Sequence, residues 1–268
     1  MESKTLIYEK IGNVASITLN RPEKRNALRG IELTEWVSIL NDARDDDDIR
    51  ALIVTGNGSS FCSGADFSYE TQTESMKGFP LPLTKHMRYW EKNAHSLIRA
   101  VDKFEKPYIC ALNGTATGWG MDLASMCDIR IASDKARVAM TYVNMGLAPG
   151  GAGAYYMPKI LGLPKTLELI WTGRWMDAEE MLMTGYVTKV IPEESLMEET
   201  LKFARQLAEG PPIAHQFSKK LVYSSYDLDL DRHLELTALL KLINWTTNDV
   251  GEGINAFLQK RKPQFTGT

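Results

Sequence analysis

Two glycine-rich segments carry the residue types from which a reaction site could be built. Ser60-Phe61-Cys62-Ser63-Gly64-Ala65-Asp66-Phe67 follows an apolar run, and Gly118-Trp119-Gly120-Met121-Asp122 stands at the start of a helical pattern. Glycine lets backbone come close to a ligand. The first turn of a helix offers N–H groups without intrahelical acceptors, in a field that favours negative charge. Two such loops facing each other can grip an oxygen that gains charge during reaction, which is the arrangement of an oxyanion hole. Tight packing alone also produces Gly-x-Gly before a helix, so both readings stay open on these residues. Gly118-Trp119-Gly120 is not a dinucleotide fingerprint, because the third glycine and the downstream ribose-binding acid are missing, and no Walker-type lysine follows. Ser63 and Cys62 have no recognisable base partner, which argues against a serine or cysteine nucleophile.

The elements that must position these loops are legible as periodic patterns. Leu6–Glu9 and Val14–Leu19 read as a hairpin turning at Gly12-Asn13, followed by a loop at Arg21–Asn26. Ile31, Leu33, Trp36, Val37 and Leu40 recur at helical spacing. Ala51–Thr55 is a buried-type strand that feeds the first glycine loop, and Tyr108–Leu112 feeds the second. Residues 68–82 read as a mobile surface loop and 84–103 as one helix. Ile129–Ala132 is a further strand. The order strand, glycine turn, helix, strand therefore occurs twice, without a clean sequence repeat. Beyond Leu161 the chain is mostly helical, with one strand at Val187–Ile191, which gives an α/β core followed by helices.

Bulk properties exclude several classes. The chain has 268 residues, 44% hydrophobic and 24% charged, which is ordinary globular composition. A net charge of -3, from 31 basic and 34 acidic residues, lacks the basic stripe that nucleic-acid binding needs. The run Asp45–Asp48 reads as a solvated helix end. Three scattered cysteines suggest neither disulfides nor zinc. No secretory leader pattern and no bilayer-length apolar stretch is present, so a reduced, cytoplasmic protein without membrane partners is expected.

Five segments, in order, resemble the crotonase (enoyl-CoA hydratase/isomerase) superfamily: Leu19–Leu28, Phe61–Asp66, Asn113–Ala132, Gly146–Gly151 and Glu252–Pro263. The resemblance implies an α/β, crotonase-like spiral of ββα units in two sheets. An acyl-CoA-binding core would cover residues 1–200, and a helical oligomerisation region 201–268. It implies a homotrimer or dimer of trimers, and no metal or other cofactor, with coenzyme A arriving as part of the substrate. The N–H groups of Ala65 and Trp119 would hold the thioester oxygen, although the family usually has glycine at the second position. Lys24, Arg25, Ala27, Ala65, Asp66 and Phe67 would contact CoA, and Phe257 and Lys260 would reach it from a neighbouring subunit.

Hydratases of this family commonly use two glutamates. Here the first position is Asp122 and the second Tyr142. The expected activity is therefore hydration or isomerisation of an unsaturated acyl-CoA through a thioester enolate, with Asp122 as acid/base. Asp122 also reads as an ordinary helix-terminus acid, and Tyr142 as a pocket wall or as a proton donor. His95 falls where a dehalogenating branch keeps a histidine, but that branch's nucleophilic aspartate is replaced by Gly150. C–C hydrolysis or decarboxylation, and CoA binding with little turnover, are the alternatives.

Overall fold

The computed structural model describes residues 5–67 and 83–268. The surface loop expected over 68–82 lies outside the described residues. Among the described residues ten strands form two sheets. The larger has the order β1 (Leu6–Ile11), β2 (Val14–Leu19), β3 (Ala51–Gly56), β5 (Tyr108–Leu112), β7 (Ile129–Ser133) and β10 (Lys189–Ile191). The smaller has the order β4 (Ser60–Cys62), β6 (Thr115–Thr117), β8 (Arg137–Ala139) and β9 (Trp175–Asp177). The hairpin β1–β2 is antiparallel, with Ile11 opposite Val14; every other neighbour in the large sheet is parallel. Successive passes of the chain give one strand to the large sheet and the next to the small one: β3 then β4, β5 then β6, β7 then β8. That is the spiral of the crotonase fold.

Both faces of the large sheet are covered, so its central strands read as continuous apolar runs. In β3, Leu52 and Val54 point into the main core with Trp36, Phe61 and Tyr108. Ala51 and Ile53 point the other way, onto Leu196, Ala204 and Ala208 of the helix Leu196–Ala208. The helix α1 (Gly30–Asp45) seals the first face with Leu33, Trp36, Leu40 and Ala43. Ile31, grouped with these residues by spacing, is 61% exposed, because it sits in the first turn beyond the edge of the buried stripe. The helix expected over 84–103 is two helices, α2 (Leu83–Lys92) and α3 (Ala94–Asp102), separated at Asn93.

The glycine loops emerge where strands of the small sheet end. β4 leads into Ser63–Phe67, and β6 leads through Gly118 into α4 (Trp119–Met126), all eight residues of which are buried. A further helix, α5 (Gly153–Leu161), packs on α4 and carries Pro158 inside it. The C-terminal helices α6 (Pro212–Ser224), α7 (Leu230–Asn244) and α8 (Asn248–Gln259) leave Val222, Leu230, Leu242, Trp245 and Phe257 well exposed. Lys219 and Tyr223 moor α6 to the core through Asp128, at 2.8 and 3.0 Å. Among the described residues no helix is long and apolar enough to cross a membrane.

Candidate active site

The two glycine loops lie in direct backbone contact. Thr117 Oγ1 donates to the Ser63 carbonyl at 3.1 Å, and a Cβ on Gly64, whose φ is +98°, would sit 3.5 Å from the Trp119 nitrogen. Gly120 approaches still closer: a Cβ there would lie 2.1 Å from the Cys62 carbonyl oxygen. Trp119 is the first residue of α4, so its N–H is one of the donors a helix cannot satisfy internally. Ala65 is exposed beside it and pairs with Leu28 in a short parallel bridge.

Asp122 does not behave as a helix-terminus acid. It is completely buried, and its carboxylate is bonded by groups outside its own helix. Oδ2 accepts a hydrogen bond from the Tyr142 hydroxyl at 2.5 Å, and Oδ1 accepts from the Gly153 N–H at 2.7 Å. The glycine-rich turn thus supplies one backbone donor, the Gly153 N–H, to the Asp–Tyr pair, and a Cβ on Gly151 would come within 2.1 Å of Asp122 Oδ2.

Burial pushes the Asp122 carboxyl up to about 6, against the hydrogen bonds from Tyr142 and Gly153, which favour its ionised form. Burial and the adjacent Asp122 together hold the Tyr142 phenol far above its ordinary range, so it stays protonated and acts as a donor. Cys62 is fully buried and its thiol is pushed up to about 12, which removes it as a nucleophile. Trp90 from α2 meets Trp119 edge to face with ring centroids 6.2 Å apart. The Trp119 Nε1 is buried and has no hydrogen-bond partner among the described residues.

The sequence profile of the enoyl-CoA hydratase/isomerase family matches residues 9–268. The chain belongs to this family. It is 32% identical over 263 residues to a short-chain-enoyl-CoA hydratase of Clostridium acetobutylicum, covering 98% of this chain and 97% of the relative. It is also 32% identical to a 1,2-epoxyphenylacetyl-CoA isomerase of Escherichia coli, covering 95% of each chain. The crystal structure of an enoyl-CoA hydratase from Bacillus anthracis superposes with a TM-score of 0.91 at 28% identity, over 99% of this chain and 100% of the other. An enoyl-CoA hydratase/isomerase acts on acyl-CoA thioesters, so the remaining candidate residues are those expected to meet CoA.

The loop of Lys24, Arg25 and Ala27 is stitched to the first glycine loop. Ser63 N–H donates to the Arg25 carbonyl at 2.9 Å, and Leu28 N–H to the Gly64 carbonyl at 2.8 Å. Lys24 and Arg25 are exposed there and Ala27 is buried. The Asp66 side chain is buried and paired with Arg21 at 2.8 Å, so it braces the two loops against each other. Phe67 is 39% exposed. Phe257, 81% exposed, and Lys260, which caps its helix at φ +54°, stand at the outer end of the last helix. His95 is half-buried with its ring 6.3 Å from that of Trp90.

Sequence reasoning singled out Asp122 and Tyr142 but did not join them, since twenty residues and two elements intervene. It missed Gly153 as a donor. The run Gly150-Gly151-Ala152-Gly153 is the signal that points to it, because a chain that comes this close to a buried carboxylate has no room for side chains at Gly151 and Gly153.

Proposed function

We propose that this chain is a hydratase or isomerase of unsaturated acyl-CoA thioesters, with Asp122 as acid/base acting together with Tyr142. The observation that carries this reading is the buried Asp122–Tyr142 pair, whose carboxylate stands on the same helix whose first N–H belongs to Trp119. The N–H groups of Ala65 and Trp119 hold the thioester oxygen, so negative charge on that oxygen is stabilised when a proton leaves the acyl chain. Asp122 has both oxygens engaged and no exposed surface. The Tyr142 hydroxyl therefore relays the proton, accepting one from substrate or water as it gives its own to Asp122, and the reverse step delivers the proton to a second carbon.

CoA lies along Lys24, Arg25, Ala27, Ala65, Asp66 and Phe67. The core over 1–200 is completed by a helical region over 201–268, whose apolar residues meet neighbouring subunits in a trimer or dimer of trimers. There Phe257 and Lys260 of one subunit reach the CoA of another; sedimentation of the purified protein as a monomer would count against this assembly.

Turnover of straight-chain and cyclic enoyl-CoA esters in heavy water, followed by mass spectrometry, tests the reaction. Gain of a water mass marks a hydratase, and deuterium uptake without it marks an isomerase. Release of carbon dioxide or a ring-opened acid would replace this reading with decarboxylation or C–C hydrolysis. Tight CoA-ester binding with no reaction would leave a binding protein.

The Asp–Tyr pair also sets a pH dependence. Ionised Asp122 takes up the proton, so kcat/KM falls as pH drops through about 6. Tyr142→Phe removes the relay, so kcat falls by roughly 10²–10⁴, and it also removes a donor that favours the ionised form, so in the residual activity the carboxyl rises further. The acid limb of the profile then moves up by roughly one to two pH units, since a hydrogen bond to a charged group is worth about 1.5–3 kcal/mol. An unmoved limb with unchanged kcat would make Tyr142 a wall of the pocket and nothing more.

A further inference from the structure

Trp90 and the Gly150–Gly153 turn are far apart in sequence and fitted to each other in space. A Cβ on Gly150 would come within 2.5 Å of Trp90 Cη2 and 3.2 Å of Cζ2 and Cζ3. The far tip of the indole thus fills the volume that any side chain at 150 would need. One residue on, a Cβ on Gly151 would strike Asp122 Oδ2 at 2.1 Å and Trp119 Cε3 at 2.6 Å. The tip of Trp90, the benzo edge of Trp119 and the Asp122 carboxylate therefore abut consecutive positions of one turn. The two indoles meet edge to face at an interplanar angle of 68°. This aromatic corner therefore stands next to the Asp122–Tyr142 pair.

We propose that Trp90 is the specificity-determining residue of the site. Gly150 makes room for its indole, which closes the acyl pocket and restricts the enzyme to short or flat, ring-bearing acyl groups. This rests on the acyl-CoA reading above. A rigid aromatic wall rewards a flat partner with offset or edge contacts and cannot fold aside for a lengthening chain. Pocket walls of this kind discriminate by roughly 10- to 200-fold per misplaced methylene.

The test compares decenoyl-CoA with crotonyl-CoA as substrates, and the saturated decanoyl- and butyryl-CoA as ligands in calorimetry, for the wild type, Trp90→Ala, Trp90→Phe and Gly150→Ala. Wild type is expected to favour the short member of each pair. Trp90→Ala should raise the long-to-short ratio of kcat/KM at least tenfold, with Trp90→Phe intermediate. Gly150→Ala, whose methyl displaces the indole, should shift the ratio the same way, and adding it to Trp90→Ala should change nothing more. A ratio within twofold of wild type in both Trp90 variants, or equal wild-type affinity for the two saturated esters, overturns the proposal. If wild type turns over no enoyl-CoA, the functional reading fails instead, and the two saturated esters still measure whether Trp90 bounds the pocket.

Discussion

Replacing Asp122 with asparagine is expected to abolish turnover and, at pH 8, to make the protein more stable. Loss of a positioned acid/base costs roughly 10²–10⁴ in kcat. The stability gain follows from linkage. The folded carboxyl is raised to about 6 from an ordinary value of 3.8. An acid whose folded value lies above its unfolded one stabilises the native state when protonated, below the unfolded value, and that stability is lost as pH rises through the folded one. The difference corresponds to roughly 3 kcal/mol withheld from the fold at pH 8. Asparagine removes the charge, keeps an oxygen for the Gly153 N–H, and presents an NH₂ that can donate to the Tyr142 oxygen. It forfeits charge-assisted bonds, so the net gain is smaller and Tm rises by a few degrees. At pH 5 the folded carboxyl is largely protonated but the unfolded one is still ionised, so the advantage shrinks to about half, and it vanishes only below about 3.8. Calorimetry at both pH values, with kcat on the true substrate, checks this. A variant that is inactive and also less stable at pH 8 would make Asp122 a structural residue; one that keeps turnover would remove it from the mechanism.

The fold was legible where stretches are long and covered on both faces, and the site only in part. Runs such as Ala51–Thr55 and Tyr108–Leu112 announce themselves because both faces of the large sheet are covered, and a continuous apolar stretch is the direct consequence. The small sheet left no such trace. Its strands, Ser60–Cys62, Thr115–Thr117, Arg137–Ala139 and Trp175–Asp177, are three residues each, too short for alternation to register. The helix Gly153–Leu161 was hidden by Gly153 at its start and Pro158 within it, residues that normally mark its absence. The break at Asn93 inside an otherwise continuous helical pattern has no proline or glycine to signal it. Tyr142 was readable as a departure from the family's carboxylate, but its bond to Asp122 joins two elements that only the fold brings together. The Trp90–Gly150 fit is invisible for the same reason: each residue is unremarkable until the space between them is known.

Gly120→Ala is expected to separate the two glycine loops, against what helix propensity alone would give. Gly120 lies in the first turn of the helix Trp119–Met126, where alanine is intrinsically favoured over glycine by about 1 kcal/mol. The added Cβ would sit 2.1 Å from the Cys62 carbonyl oxygen, 2.8 Å from its carbonyl carbon and 3.0 Å from its Cβ. Cys62 is fully buried in the strand that delivers Ala65, and backbone cannot swing aside as a flexible side-chain tip can. Overpacking of this kind costs about 1–3 kcal/mol, which cancels or exceeds the propensity gain. The functional effect is larger. If Ala65 and Trp119 supply the two donors of the oxyanion hole, spreading their loops weakens one of them where charge develops, and kcat falls by roughly 10²–10³. Affinity for a saturated CoA ester should change far less, since it develops no enolate charge. Gly251→Ala provides the control, for it lies inside the helix Asn248–Gln259 with none of the described residues outside its own helix within 4 Å of the added Cβ. There propensity should act alone, raising Tm and leaving kcat untouched. If Gly120→Ala keeps kcat within a few-fold of wild type, the close contact of the two loops serves packing alone.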